Sequence, residues 1–237
     1  MLRHMKKIAM LLSVSVLSCS LGITGLGATK KAKNGSNEPA SSKGSAITVG
    51  LPQDLDSSLD PYQITAAGTR EVMFNVYEGL VKPDTDGNFI DAVASSHSVS
   101  EDGLTYTFTL RDGVKFHNGE EVTTDDVLYS FQTCADTTVN TAVAAALSDV
   151  KAEADGNEII LTLPAPSNGF LSAVSSVSIV PEDYPDEATA PVGTGPYKFV
   201  SRSVQDKVIF ERNDDYYGPL PAISKVTCRI YEDHAGR

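Results

Sequence analysis

The sequence has little of the chemistry that many enzymes and metal-binding proteins use. Among its 237 residues are no tryptophan, four histidines and three cysteines. Cys19, Cys134 and Cys228 are too few for a disulfide framework, and a four-ligand zinc site would need other residues as well. Cys134 and Cys228 fall on apolar faces of predicted elements. This predicts a buried thiol for each, with a disulfide between them as the alternative in an exported protein.

Catalytic and metal-binding motifs are also missing. Neither Gly-x-Ser-x-Gly nor His-Glu-x-x-His occurs, and the histidines are so scattered that a catalytic or metal-binding pair of His97 and His117 is not expected. The run Asp84-x-Asp86-Gly87-Asn88 begins like a calcium loop, but its twelfth position is Ser95, where a bidentate Glu is needed. A hairpin turn explains the same residues. We therefore predict no metal and no cofactor.

Positive charge is scarce in the main part of the chain. The formal net charge is −12, yet residues 1–43 contain seven Lys/Arg and one acid, which leaves 12 basic and 30 acidic residues in 44–237. Residues 44–237 are therefore acidic enough to repel a phosphate backbone. Because they contain no basic stripe, we expect no nucleic-acid partner. The hydrophobic share of 41% is enough for a core, which excludes a disordered chain.

The start of the chain has the pattern of an export signal. Basic residues precede an uncharged apolar stretch, Ile8–Leu17, and small residues follow it. Since a bilayer span needs about 20 apolar residues, this pattern predicts a secretory signal peptide over 1–18 rather than a transmembrane helix.

A lipid anchor is predicted directly after that signal. The run Val16-Leu17-Ser18-Cys19 resembles the bacterial lipobox, which implies lipid attachment at Cys19. The alternative is that Cys19 is an ordinary residue of the signal. The polar composition that follows predicts a flexible linker over 19–45. The expected location is the outer face of the cytoplasmic membrane, or the periplasm.

From Ala46 onward the patterns are those of a folded domain with both helices and strands. Ile47, Val49 and Leu51 alternate with small or polar residues and predict a strand. Apolar spacing predicts a helix over Thr69–Leu80, with Gly79 as its left-handed cap.

Antiparallel sheet is predicted further along the chain. Leu104, Tyr106, Phe108 and Leu110 alternate with polar residues, as in a strand with one buried face. The other signals are a capping box at Thr123 and Asp126, a short helix within Thr141–Leu147, a hairpin turn at Asp155-Gly156-Asn157, and strands over 197–201, 207–211 and Lys225–Tyr231. Together they predict a mixed α/β domain.

The order of these motifs resembles family 5 of the extracellular solute-binding proteins, the peptide and nickel receptors of ABC importers. The resemblance rests on Leu59-Asp60-Pro61-Tyr62, Asn75-Val76-Tyr77-Glu78-Gly79-Leu80-Val81, the run from Ser98 to Gly119, Thr123–Val127, Gly193-Thr194-Gly195-Pro196-Tyr197 and Asn213-Asp214-Asp215-Tyr216-Tyr217-Gly218. It covers nearly all of 46–231. His97 is a departure, since many relatives have Trp there.

The resemblance implies an α/β fold (mixed α+β) of the two-lobed, periplasmic-binding-protein type II-like kind. Family members are roughly twice as long, so residues 46–237 are expected to form only the first lobe and its inserted subdomain, roughly 62–190, with the second lobe missing. A fragment, a truncated reading frame or half of a split gene would each account for this. We expect weak or no ligand binding by such a chain alone.

The implied function is the extracellular substrate-binding component of an ABC importer, which captures a peptide and presents it to a membrane permease. The predicted ligand-binding residues follow the first strand: Gln53, Asp54, Leu55 and Asp56, with Tyr62 nearby. The alternative for this loop is a plain polar turn. Two other function classes stay open, a surface lipoprotein that acts as an adhesin or scaffold, and a secreted peptidase.

Overall fold

The computed structural model describes residues 45–136 and 143–231, which belong to one compact unit. The predicted signal peptide, Cys19 and the linker up to residue 44 lie outside these ranges and stay predictions. The strands are β1 (Ser45–Leu51), β2 (Val81–Pro83), β3 (Phe89–Asp91), β4 (Ala94–Val99), β5 (Thr105–Leu110), β6 (Lys151–Asp155), β7 (Glu158–Thr162), β8 (Tyr197–Ser203), β9 (Lys207–Arg212) and β10 (Ile223–Ile230). The helices are α1 (Ala67–Met73), α2 (Thr124–Ala135), α3 (Ala144–Leu147) and α4 (Phe170–Ser175).

One four-stranded sheet, here called the mixed sheet, has the strand order β1-β10-β9-β8. β1 runs parallel to β10, with Val49 beside Cys228, whereas the other neighbours are antiparallel. The first and last described strands are therefore partners. The loop after β1 lies at the end of the sheet where β8 turns into β9, and the Gln205 N–H of that turn donates to Asp54.

The other four-stranded sheet, here called the antiparallel sheet, has the order β4-β5-β7-β6. Along β5 the side chains alternate between half-buried and buried, so Tyr106, Phe108 and Leu110 face the core as their spacing predicts. Phe108 pairs with Ile159 of β7, and both are fully buried. Gly156, at φ 59°, turns the β6–β7 hairpin at the predicted place.

A single apolar core joins the helices to both sheets. Helix α2 contributes Val127, Phe131 and Cys134, as its predicted apolar face requires. The predicted capping box is also present, because Thr123 and Asp126 exchange side-chain and backbone hydrogen bonds.

The predicted helix over Thr69–Leu80 is wrong in its extent, since α1 ends at Met73. Beyond it, the carbonyl oxygens of Asn75 and Val76 accept hydrogen bonds from Tyr197 and Gly195, which draws the chain out of the helix. Gly79 is no left-handed cap. A Cβ there would lie 2.8 Å from the Val177 carbonyl oxygen, so the glycine allows a close backbone approach.

Both described cysteines are buried thiols, as predicted. Burial raises the pKa of Cys134 to about 12 and that of Cys228 to about 11, which leaves neither sulfur reactive at neutral pH. Within the described ranges no helix combines the length and the apolar character that a bilayer crossing requires.

Candidate functional site

A cavity of about 340 Å³ opens beside α1. Its walls come from the segment before α1, from α1 and the turn that follows it, from β2, from the end of α4 and the segment after it, and from single residues of α2 and of the segment before α3. The lining residues are Pro61, Tyr62, Ile64, Arg70, Met73, Phe74, Tyr77, Glu78, Gly79, Lys82, Pro83, Cys134, Val143, Ser175, Ser176 and Ser178. Mostly apolar walls with a few polar groups are typical of a small-ligand site.

The buried Glu78 and the half-buried Lys82 form an ion pair in one wall of the cavity. The Lys82 Nζ lies 2.7 Å from Glu78 Oε1, and the hydroxyls of Tyr216 and Tyr217 also donate to the Glu78 carboxylate. Burial alone would lower the pKa of Lys82, but the neighbouring Glu78 charge raises it overall. The lysine ammonium also lies 5.6 Å from the centre of the Tyr216 ring. The pair is thus fixed in place and electrically neutral.

Arg70, in the last turn of α1, is the other charged residue of the cavity. It is exposed, and its Nη2 donates to the Ile64 carbonyl oxygen at 3.1 Å. Ser178 also lines the cavity. It is half-buried, and its backbone oxygen accepts a 2.8 Å hydrogen bond from the Tyr62 hydroxyl. The cavity therefore offers both a fixed neutral pair and a solvent-facing cation.

Of the five residues predicted to bind ligand, Tyr62 alone lines this cavity. Burial raises the pKa of Tyr62 well above its usual value, so its hydroxyl is a neutral hydrogen-bond donor. Leu55 lies in the core, and Gln53 is exposed beside Gly68 of α1.

The two predicted carboxylates make bonds within the protein. Asp54 accepts from Arg202 Nη2 at 3.0 Å and from the backbone N–H groups of Leu55 and Gln205. Burial would raise the pKa of Asp54, but these partners lower it overall. Asp56 accepts from the N–H groups of Thr65 and Ala66 directly before α1, and the Ala66 bond is the main reason that its pKa is lowered.

Sequence reasoning missed Arg70, Glu78 and Lys82. Glu78 stands in the quoted run of residues 75–81, so that motif contained a usable signal. The two tyrosines that hold it belong to another quoted motif, at 216–217, but nothing in the sequence shows that the two motifs meet.

A second buried carboxyl group, that of Glu187, contacts a residue of the cavity wall. Glu187 is only 7% exposed, and its Oε2 accepts from the Tyr77 hydroxyl at 2.7 Å and from the Val192 N–H. Burial raises the pKa of Glu187 to about 7. Because Tyr77 lines the cavity, this contact fixes part of its wall.

The two histidines of the described residues have different hydrogen-bond partners. His117 Nε2 donates to the Gly195 carbonyl oxygen at 2.9 Å, and its Nδ1 accepts from the Gly193 N–H. Burial lowers the pKa of His117 to about 4. His97 lies 2.6 Å from Asp91 instead. Among residues 45–136 and 143–231, no three His, Cys, Asp or Glu side chains are grouped to hold a metal ion.

A mixed α/β fold with a cavity of this volume is typical of ligand-binding domains. More particularly, the chain belongs to family 5 of the bacterial extracellular solute-binding proteins, whose family model (the "Middle" region) matches residues 88–237. It is 36% identical over 174 residues to the nickel-binding periplasmic protein of Escherichia coli K12, a match that covers 68% of this chain and 33% of that protein. The family predicted from the sequence motifs is thereby confirmed.

Solved structures support the same fold. The periplasmic binding protein DppA of Helicobacter pylori, in complex with the peptide STSA, aligns with a TM-score of 0.72 and 29% identity, over 82% of this chain and 44% of that one. This solved structure confirms the predicted type II-like α/β fold. Among sequence relatives, the dipeptide-binding protein DppE of Bacillus subtilis is 29% identical, over 85% of this chain and 42% of that protein. The chain spans less than half the length of each of these relatives.

Proposed function

We propose that this chain is part of the extracellular substrate-binding component of an ABC importer and that its ligands are short peptides. The observation that carries the proposal is the 340 Å³ cavity beside α1, in a chain of a solute-binding family. Its volume falls in the range of roughly 300–1,000 Å³ typical of ligand pockets. The names of two relatives, which specify a dipeptide and the peptide STSA, favour peptides as the ligand class.

The proposed roles of the predicted site residues follow from their contacts. Tyr62 forms cavity wall, and Gln53 offers an exposed amide next to α1. The loop after β1 is stabilised by hydrogen bonds to Asp54 and Asp56 and by the packing of Leu55 in the apolar core. A peptide whose main chain bonds to such polar groups is held without its sequence being read.

Delivery to a permease and attachment to the membrane complete the proposal. Lipid attachment at Cys19 would hold the chain at the outer face of the membrane, and a polar linker would let it reach a permease. Binding of the ligand, and the closure that often follows in such receptors, would be what the permease recognises.

Thermal unfolding of the purified chain tests the ligand class. We expect di- to pentapeptides to raise the Tm in a concentration-dependent manner, because a ligand that binds only the folded state stabilises it. Free amino acids and nickel with histidine serve as comparison ligands. A Tm that responds to nickel and histidine but to no peptide would contradict the proposal. Micromolar affinity for a peptide would contradict the expectation that this chain alone binds weakly.

A further inference from the structure

The charge of the cavity is opposite in sign to that of the chain. The chain has a formal net charge of −12, whereas the charged residues that line the cavity are two cations and one anion. Glu78 and Lys82 neutralise each other at 2.7 Å. The charge that remains for a ligand is therefore that of Arg70.

Arg70 has hydrogen-bond donors to spare. A guanidinium group has five N–H donors, and within the described chain Arg70 uses one of them, on the Ile64 carbonyl oxygen. That bond orients the side chain and leaves the other N–H groups of the guanidinium unused. The nearby Asp56 is close enough for the Arg70 charge to add to the Ala66 hydrogen bond in lowering the Asp56 pKa, but Asp56 Oδ2 accepts from Thr65 and Ala66 rather than from Arg70.

Ser178 supplies a second donor in the same cavity. Its hydroxyl makes no hydrogen bond to any residue of 45–136 or 143–231, although its backbone oxygen is held by Tyr62. The cavity is thus lined by a half-buried hydroxyl and by a guanidinium that has unused N–H groups. Carboxylate oxygens are the acceptors that bond best to such a set.

We propose that the cavity binds a carboxylate group of the ligand, with Arg70 as the specificity-determining residue and Ser178 as its second donor. This inference rests on the proposed function, because it assumes that a peptide enters the cavity. The carboxylate is either the C-terminus of the peptide or an acidic side chain.

The test is a titration of the ¹⁵N-labelled full chain, followed by NMR, which detects weak binding. The three probes are trialanine, trialanine amide and Ala-Glu-Ala amide. We expect each carboxylate-bearing probe that fits to bind about tenfold more tightly than trialanine amide, a modest factor because Arg70 is exposed. The amide signals of Met73 and Ser178 should shift on binding. Whether trialanine or Ala-Glu-Ala amide is preferred distinguishes the two sources of the carboxylate.

Three variants separate charge from structure. Arg70→Gln should abolish the tenfold preference for the carboxylate-bearing probes over trialanine amide, whereas Arg70→Lys should keep most of that preference. Arg229→Gln removes an exposed arginine of β10 outside the cavity and should behave like wild type. This control also measures the general effect of removing one positive charge.

The outcomes are distinguishable. If all three probes shift the cavity signals with equal affinity, or if Arg70→Gln keeps the preference, the carboxylate inference is wrong while peptide binding stands. If no probe shifts any cavity signal, peptide binding at this cavity is wrong and the inference fails with it.

Discussion

The two four-stranded sheets are assembled from contacts of different sequence range. In the antiparallel sheet, β4 pairs with β5 and β6 pairs with β7 as hairpins, each closed by a short turn. In the mixed sheet, β1 pairs with β10, the strand farthest from it in the described chain. Closing a hairpin costs little loop-closure entropy, whereas the β1–β10 pair closes the longest loop of the described chain and costs more.

The sheets also differ in what stabilises them. The central strands of the antiparallel sheet bury large side chains such as Phe108 and Ile159 completely. Most of β1 is exposed. The loop after it is held instead by Arg202 of β8, which donates to Asp54 and to the carbonyl oxygens of Leu55 and Asp56. The difference shows that buried apolar side chains stabilise the antiparallel sheet, including its β5–β7 pair, whereas hydrogen bonds from Arg202 hold the loop after β1.

The largest effect is expected from a truncation in the antiparallel sheet. Phe108→Ala should lower the free energy of unfolding by about 4 kcal/mol, because a fully buried aromatic side chain leaves a cavity that neighbours fill only partly. Urea unfolding followed by circular dichroism measures this. Thr107→Ala, on the half-buried face of the same strand, is the control and should cost much less. Equal losses would show that burial does not dominate in this sheet.

In the mixed sheet the corresponding weak point is Arg202. Arg202→Met should lower the free energy of unfolding by about 3 kcal/mol, since in a mostly buried site it removes the cation paired with Asp54 and the donor to two carbonyl oxygens. Urea unfolding measures this too. The double variant with Asp54→Asn should lose less than the sum of the single losses. Strict additivity would show that the contact is not a coupled unit.

The pH dependence of the same contact has a definite sign. The folded-state pKa of Asp54 is lowered from 3.8, so its contribution is present above that value and is lost as pH falls through the lower, folded-state pKa. Arg202→Met should therefore reduce the loss of stability that wild type shows in this acid range.

The contrast between the sheets also explains which elements could be predicted from the sequence alone. Alternation along β5, the capping box at Thr123 and the turn at Gly156 are local patterns, and all three are confirmed. The length of α1 was mispredicted because the chain after it bonds to residues 195–197, more than a hundred positions away. The cavity depends on the same kind of contact. Arg70 and Ser178 come from segments that only the tertiary fold brings together.

The segment that leads into β8 contains two titrating contacts with opposite pH dependence. His117, which bonds to Gly193 and Gly195, has a pKa lowered from 6.5 to about 4 by burial. As pH falls from 6.5 towards 4, the unfolded state takes up this proton first, so stability falls. Glu187, which bonds to Val192, has a pKa raised from 4.5 to about 7 by burial. As pH rises from 4.5 towards 7, the unfolded state loses this proton first, so stability again falls.

Between about pH 4.5 and 6.5 these two contributions oppose each other, and single variants should separate them. Glu187→Gln should make stability rise with pH, and His117→Gln should make it fall, each with a slope of up to about 1.4 kcal/mol per pH unit. Urea unfolding at a series of pH values measures both slopes. Slopes of the same sign in the two variants would contradict these assignments.

The smallest expected effects come from the hairpin turns, one in each sheet. Gly156 in the antiparallel sheet and Gln205 in the mixed sheet both have φ 59°, a left-handed conformation that costs a non-glycine residue about 1 kcal/mol. Gly156→Ala should therefore destabilise the protein by about 1 kcal/mol, with no steric clash, because nothing lies within 4 Å of the added Cβ.

Gln205→Gly should have the opposite sign, a gain of up to about 0.5 kcal/mol, because relief of strain exceeds the extra entropy that glycine gives the unfolded chain. The Gln205 N–H bond to Asp54 is made by the backbone and persists in this variant. Differential scanning calorimetry of both variants measures the pair. A loss in Gln205→Gly would mean that the glutamine side chain stabilises this turn, and that the mixed sheet depends on polar contacts even at its smallest element.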